Sequence, residues 1–389
     1  MEKKITLRPG KDKPIRNRHH WIFSGAIQNM SDFNDGEILQ VLAADGQLLG
    51  SAYFNRRSGI IGRMVSFDDT PPLQSIELRL KAAIDLRKSL IDESKTNGYR
   101  LVNGEGDGLP GLVIDKYDQV LVIQSGTKGI DVLKPWIIEQ LVKYCHPKTI
   151  YEKSHLPSRK EEGLHDVQGF LYGEHQNEIS FKEYGLKFTT TLEKSQKTGF
   201  FLDHREMRQW IRELSRGKRV LNAFSYTGGF TVYALAGGAI QADSVDISSD
   251  AIEAAKKNVY DNGFDIAKNK FYTEDVFEFL REKELNYDIV ILDPPAFAKR
   301  QKDVVAACRG YKDINRIAMQ KMPRNSLLLT CSCSHHVDES LFQKVLFQAA
   351  AEAKRDVRIV GRHRLAPDHP INIFHPESDY LKSFLLSVE

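Results

Sequence analysis

What this sequence has little of narrows its identity first. No apolar run among its 389 residues approaches the ~20 that a membrane-spanning helix needs. The start, MEKKITLRPG, has no apolar stretch of the kind a signal peptide carries, so a cytoplasmic location is expected. Four cysteines in so long a chain do not make a disulfide framework. Charge of one sign is also scarce: 55 basic minus 52 acidic residues gives +3, so the chain as a whole is no polycation. There is no internal repeat and no low-complexity tract. These absences speak against a helix-spanning membrane protein, a disulfide-stapled secreted domain and a repeat array. A globular chain long enough for two or three domains remains.

The stretch around which the rest is organised is Arg219-Val-Leu-Asn-Ala-Phe-Ser-Tyr-Thr-Gly-Gly-Phe-Thr231. Val220 to Phe224 reads as a buried parallel strand, and Phe230 to Ala236 as a helix. Between them, Phe224, Ser225, Tyr226, Thr227, Gly228 and Gly229 form a turn whose glycines let the backbone approach a ligand. The helix N-terminus behind it offers unpaired N–H groups. A second strand, Ala242–Asp246, ends on a carboxylate eighteen residues after Gly228, where a nucleotide-binding βαβ unit places the acid that holds a ribose. The turn is not G-x-G-x-x-G, and an ordinary strand-to-helix connection is the competing reading.

Later strands shift the balance. The strand through Phe271 runs to Asp275, Tyr287–Leu292 runs into Asp293-Pro-Pro, and Ser326–Thr330 runs into Cys331-Ser-Cys-Ser334. Polar groups thus collect at successive strand ends, where open α/β sheets bind ligands. Asp246 and Asp275 suit the hydroxyls and amino group of a nucleoside, although any single Asp is more often a helix cap or turn residue. The prolines after Asp293 fix the backbone and remove N–H donors, which turns the carboxylate toward the cleft with Phe297 able to stack on a planar ring. A protonated Asp293 can bond a ring nitrogen such as N3 of a cytosine. Cys331 and Cys333 follow on the next strand end. A thiolate there can attack C6 of a pyrimidine and make C5 nucleophilic enough to take a methyl group. Buried structural cysteines, a Cys-x-Cys-x-His-His metal site and a disulfide are the alternatives, and no metal is expected.

The chain order suggests three parts: a small β-barrel at 1–70, an α+β domain at 73–185 and a regular α/β domain at 190–389. In the barrel, Trp21 and Phe23 are expected in the core. Its basic start, with Lys11, Arg16 and Arg18, reads as a solvated face or a phosphate-contacting surface. Asn103-Gly-Glu-Gly-Asp-Gly-Leu-Pro-Gly111 lacks a Lys-Ser/Thr pair and carries two acids, so it is expected to be a structural turn. Lys197-Thr-Gly-Phe-Phe-Leu-Asp-His-Arg205 either closes over a cofactor, with Phe201 and Arg205 in contact, or starts a helix capped by Asp203. The segment Tyr380–Ser387 is expected to close the sheet, which accepts an antiparallel strand at its edge.

In order along the chain, His19-His-Trp-Ile-Phe-Ser-Gly25, NGEGDGLPG, KTGFFLDHR, VLNAFSYTGGF, DPPAF, CRGYKDIN and the Cys-Ser-Cys-Ser run resemble one family. It is that of ribosomal RNA large-subunit methyltransferases joining a PUA domain, a small α+β domain and an S-adenosylmethionine-dependent Rossmann-like domain. The group methylating C5 of a cytosine in 23S rRNA is the nearest within it. The resemblance implies S-adenosylmethionine as cofactor, with the 224–229 loop on its methionine part, Asp246 on the ribose and Asp275 on the adenine. It implies Asp293 at the target base and Cys333 as nucleophile, with Cys331 the extra cysteine. It further implies 23S rRNA or a precursor large-subunit particle as partner, met by Lys11, Arg16 and Arg18; a second copy of the chain is a further candidate partner.

Many RNA cytosine-C5 methyltransferases carry another cysteine beside the Asp-Pro-Pro motif; here positions 296 and 297 are Ala and Phe, and the base that removes the C5 proton is unassigned. A guanine or exocyclic-amine N-methyltransferase, a nicotinamide-dependent dehydrogenase and a non-catalytic RNA-binding factor are the rival functions.

Overall fold

The computed structural model describes residues 3–389, which divide into two compact units. The first takes in the chain up to Lys182 together with Thr190–Asp203 and Pro367–Ser378; the second holds Glu183–Thr189, His204–Ala366 and Asp379–Glu389.

In the first unit, β1 (Lys4–Leu7), α1 (Lys13–Arg16), β2 (Trp21–Ile22), β3 (Ile27–Met30), β4 (Ile38–Leu42), β5 (Leu48–Phe54) and β6 (Gly62–Ser66) come first. The six strands form one sheet in the order β2-β6-β5-β4-β1-β3. Alternation in β4 buries Leu39 and Val41, which join Ile5, Leu7, Phe54 and Met64 in a closed core. The expectation that Trp21 and Phe23 belong to this core is wrong. Phe23 is 53 % exposed, Trp21 is half-buried, and neither joins the cluster.

The first unit continues with α2 (Pro72–Leu90), β7 (Gly98–Asn103), β8 (Leu112–Tyr117), β9 (Val120–Ser125), α3 (Lys128–Cys145), β10 (Thr149–Ser154), α4 (Pro157–Glu161) and β11 (Val167–Gly173). Their sheet runs β11-β10-β9-β8-β7. The glycine-rich 103–111 stretch is indeed a structural turn. Gly104, Gly108 and Gly111 all have positive φ, and both acids are used internally. Asp107 takes two hydrogen bonds from buried Arg87 at 2.6 and 2.8 Å, and Glu105 accepts from Nε1 of Trp21 at 3.0 Å. Strands β12 (Glu178–Glu183) and β13 (Leu186–Thr191) make a two-stranded sheet.

The second unit is the α/β layer structure: α5 (Arg205–Leu214), β14 (Arg219–Ala223), α6 (Gly229–Ala236), β15 (Gln241–Asp246), α7 (Ser249–Asp261), β16 (Phe271–Thr273), α8 (Val276–Glu282), β17 (Ile289–Leu292), α9 (Val304–Lys321), β18 (Ser326–Ser332), α10 (Glu339–Ala353), β19 (Val357–His363) and β20 (Lys382–Val388). The sheet order is β16-β15-β14-β17-β18-β20-β19. Alternate residues of the central strands face opposite layers. Leu221, Val290, Leu292 and Leu328 pack toward α8, α9 and α10, while Val220, Ile289, Ile291, Leu329 and Cys331 pack toward α5 and α6. The final strand corrects an expectation: β20 is antiparallel, but it lies between β18 and β19 rather than at the edge. Polarity patterning told that this segment was a strand, not which neighbours it would take.

A buried ion pair braces the layer beneath the glycine turn. Arg208 on α5 donates to both oxygens of Glu183 at 2.8 and 2.7 Å, and the Tyr233 hydroxyl of α6 donates to the same carboxylate at 2.9 Å. Burial and the negative Glu183 push the Tyr233 phenol well above its ordinary pKa, so it stays a donor.

Candidate active site

The turn after β14 is held in a shape that most residues resist. Phe224, Tyr226 and Gly228 all have positive φ, at 60°, 46° and 77°, and the cost of such backbone must be met by fixed contacts. Those contacts are visible. Ser225 N–H donates to the Val245 carbonyl at 3.0 Å, and Asn258 of α7 donates to the Thr227 carbonyl at 2.9 Å. Tyr226 N–H donates to Oδ2 of Asp246 at 2.9 Å, while Oδ1 of the same aspartate accepts from Ser248 N–H at 2.9 Å. At Gly228 a Cβ would stand 2.8 Å from the Cβ of Ala255, so only glycine permits this approach of α6 to α7.

The buried hydroxyls of Ser225 and Thr227 have no hydrogen-bond partner among the described residues. Buried polar atoms of this kind are normally satisfied, and here they lie in the loop that the sequence marked for a cofactor. Together with the Asp246 carboxylate and the α6 N-terminus, they fit the polar groups of S-adenosylmethionine. Ile247, immediately after Asp246, is 71 % exposed. A large apolar side chain beside a ribose-type acid is suited to lie against a planar ring, and its strand-end position was the signal that sequence reading passed over.

Asp275 has a structural duty that competes with the adenine assignment: its Oδ1 caps α8 by accepting from Glu278 N–H at 3.1 Å. Phe297 is half-buried and packs on Tyr311 and Phe277, with ring centroids 4.6 and 5.8 Å away.

Asp293 follows β17, in register with the end of β14 through its N–H to the Ala223 carbonyl at 3.5 Å. Its Oδ1 lies 3.7 Å from Nε2 of His204, beyond a direct hydrogen bond but within ion-pair reach. His204, Asp293 and Cys331 place one donor atom each within 4.8 Å of the others. His204 escaped the sequence reading, although it lies in the KTGFFLDHR motif already singled out for its neighbours.

Cys331 and Cys333 both pack on the α5/α6 side of the sheet, but they differ in access. Cys331 is 0 % exposed, with Sγ 4.0 Å from Sδ of Met207. Cys333 is half-buried, past the end of β18, with Sγ 3.9 Å from the Pro294 carbonyl oxygen of the Asp-Pro-Pro turn. Ser334 fastens this turn to its surroundings: its hydroxyl accepts from Ala298 N–H at 3.1 Å and meets the Tyr311 hydroxyl at 2.8 Å.

The KTGFFLDHR motif is divided between the units. In the first, the Lys197 ammonium lies 4.2 Å from the centroid of the Phe201 ring and 3.4 Å from Asp203. In the second, His204 rather than the alternative Asp203 occupies the N-cap position of α5, without a capping hydrogen bond from its side chain, and buried Arg205 donates to Glu206 at 3.2 Å. In the first unit Lys11, Arg16 and Arg18 are exposed. Arg16 is tied to Asp12 at 2.5 Å and Gln47 at 2.7 Å. Lys11 lines a concavity of about 780 Å³ with Lys13, His19, Trp21, Phe23 and Phe374. No helix among the described residues is long and apolar enough to cross a membrane.

Residues 149–382 match the family described as S-adenosylmethionine-dependent methyltransferase, and residues 5–67 match a PUA-like domain. Proteins named ribosomal RNA large subunit methyltransferase I are 40 % identical in Aliivibrio fischeri and 41 % in Vibrio cholerae, with full coverage of both chains in each case. A solved structure of a candidate methyltransferase complexed with SAH is 25 % identical, covers 99 % of this chain and 100 % of its own, and superposes with a TM-score of 0.86.

Proposed function

The chain belongs to the family of S-adenosylmethionine-dependent ribosomal RNA large-subunit methyltransferases with an N-terminal PUA-like domain, and from that premise we propose that it methylates C5 of a cytosine in 23S rRNA through a covalent adduct on Cys333. The observation that carries this reading is the placement of an accessible thiol, Cys333, against the Asp293-Pro294-Pro295 turn at adjacent strand ends.

The bound cofactor supplies an electrophilic methyl group. The chain's own residues do the rest. The 224–229 loop, through the Ser225 and Thr227 hydroxyls, holds its methionine part, Asp246 the ribose, and Ile247 and Asp275 the adenine. Asp293 bonds N3 of the base, with the His204 imidazole 3.7 Å from its Oδ1. The Cys333 sulfur adds to C6; the C5–C6 π pair then becomes available at C5 to take the methyl group, and the sulfur leaves when C5 loses its proton. Cys331, fully buried against Met207, is a packing residue in this reading.

The division at 1–70, 73–185 and 190–389 belongs to the same proposal. The first part meets rRNA through Lys11, Arg16 and Arg18, Phe297 lies near the entering base, and Phe201 and Arg205 attend the cofactor.

The test is transfer of labelled methyl from S-adenosylmethionine to undermodified 23S rRNA, followed by nucleoside analysis. Label in 5-methylcytidine is expected. Label in a methylguanosine would instead make the enzyme an N-methyltransferase and Cys333 structural.

A further inference from the structure

Lys382 opens β20 directly opposite Ser332 of β18. It is only 4 % exposed. Its ammonium donates to the Ser334 carbonyl at 2.7 Å and to the Tyr380 carbonyl at 2.7 Å, both neutral acceptors. Among the described residues it makes no ion pair, and the nearby carboxylates have other partners, Asp379 through Oδ2 alone, its Oδ1 being buried without a hydrogen bond. Asp379 is paired with Arg364, and Asp338 caps α10 by accepting from Leu341 N–H at 2.7 Å. A buried ammonium without an anion is costly, and the turn it grips is the one that presents Cys333.

We propose that Lys382 is a positioning residue for Cys333: its buried charge fixes the 332–334 turn and favours the thiolate that the reaction needs. The proposal rests on the reading of Cys333 as nucleophile. Electrostatics run in the same sense. Burial pulls the Lys382 ammonium below its ordinary pKa. Of the charges that oppose this pull, Cys333 is the strongest, ahead of Asp379 and Asp338, while Arg364 acts against them. The Tyr311 hydroxyl, on the other side of the same turn, also feels negative charge at Cys333, and burial raises its pKa, so it stays protonated. The proton lost on activation is that of the Cys333 thiol, released to solvent before the pyrimidine arrives.

The experiment is alkylation of Cys333 by iodoacetamide as a function of pH, read by peptide mass spectrometry. The parent is the full chain carrying Cys331→Ser, compared with added Lys382→Gln, which keeps amide donors and loses the charge, and with Lys382→Arg. The parent should react with a midpoint below the ~8.5 of an ordinary cysteine. Lys382→Gln should move the midpoint up by about one pH unit or more, with methyl transfer at pH 7 reduced about tenfold and recovering as pH rises. Lys382→Arg should restore the low midpoint, and S-adenosylhomocysteine affinity should be unchanged in all three. An unmoved profile in folded Lys382→Gln overturns the role of Lys382. So does a parent midpoint at or above the ordinary value, which needs no variant to fold. Either result leaves the nucleophile reading intact. A fully active Cys333→Ala enzyme overturns that reading instead, and with it the function assigned to the pair.

Discussion

Tyr226 and Asp246 are joined by a hydrogen bond of 2.9 Å from the tyrosine's backbone N–H to the aspartate's Oδ2. One carboxylate therefore holds the glycine turn in its positive-φ shape and stands at the strand end to which the proposed function assigns the ribose. Replacing Asp246 with Ala should weaken S-adenosylhomocysteine binding by at least tenfold in a calorimetric titration, about 1.4 kcal/mol. Asp275→Ala should lose less cofactor affinity than Asp246→Ala, because part of its work is capping α8. Equal losses would refute this division of labour. Ile247→Asp should also impair binding while leaving the melting temperature nearly unchanged, since the side chain is turned to solvent.

Gly228→Ala combines a disfavoured φ with a contact to the Ala255 Cβ. The variant should lose about 1–3 kcal/mol of stability and bind cofactor poorly. Chemical denaturation gives the first quantity, and a variant as stable as the parent would show that the turn relaxes freely.

The two cysteines should separate cleanly. Cys333→Ala is expected to abolish methyl transfer while keeping S-adenosylhomocysteine affinity. Cys331→Ala should stay active within a few-fold and lose on the order of 1 kcal/mol of stability from a shrunken core residue. Inactive Cys331→Ala with active Cys333→Ala would reverse the assignment.

Removing Arg208 leaves Glu183 buried without its cation. Arg208→Met should cost about 3–5 kcal/mol and lower the thermal midpoint far more than removal of an exposed pair such as Lys257–Asp261. A small shift would mean that Tyr233 alone satisfies the carboxylate.

For RNA, Lys11→Ala should reduce the slope of log affinity against log salt by about one. Arg16→Ala should reduce it less, since that side chain is already spent on Asp12 and Gln47. Phe23→Ala should cost about 1–3 kcal/mol of binding if a base stacks there. Filter binding across a salt series distinguishes all three.

Local features were readable from the residues. The strand–turn–helix around Gly228 and the spacing to Asp246 follow from a few adjacent letters, and the α/β alternation of the second unit follows from apolar runs. Long-range pairing was not readable. Lys382 meets the 332–334 turn only because β20 pairs with β18, forty-eight residues of sequence separating Ser334 from its partner. His204 was hidden because its approach to Asp293 joins residues eighty-nine positions apart, while the adjacent Asp203 drew the cap reading. Trp21 and Phe23 were misjudged because β2 has two residues, too few for alternation to reveal which way Trp21 points, and Phe23 lies just past it at the start of a turn.

The place of β20 inside the sheet governs when the enzyme can exist during its own synthesis. Until residues 382–388 have emerged from the ribosome, the outer edge of β18 carries unpaired backbone groups and β19 has no strand to join. The cofactor turn and its acid can form from the strands already made. The cysteine turn cannot receive its lysine before then, so under the roles proposed above the thiol is the last part of the site to be completed.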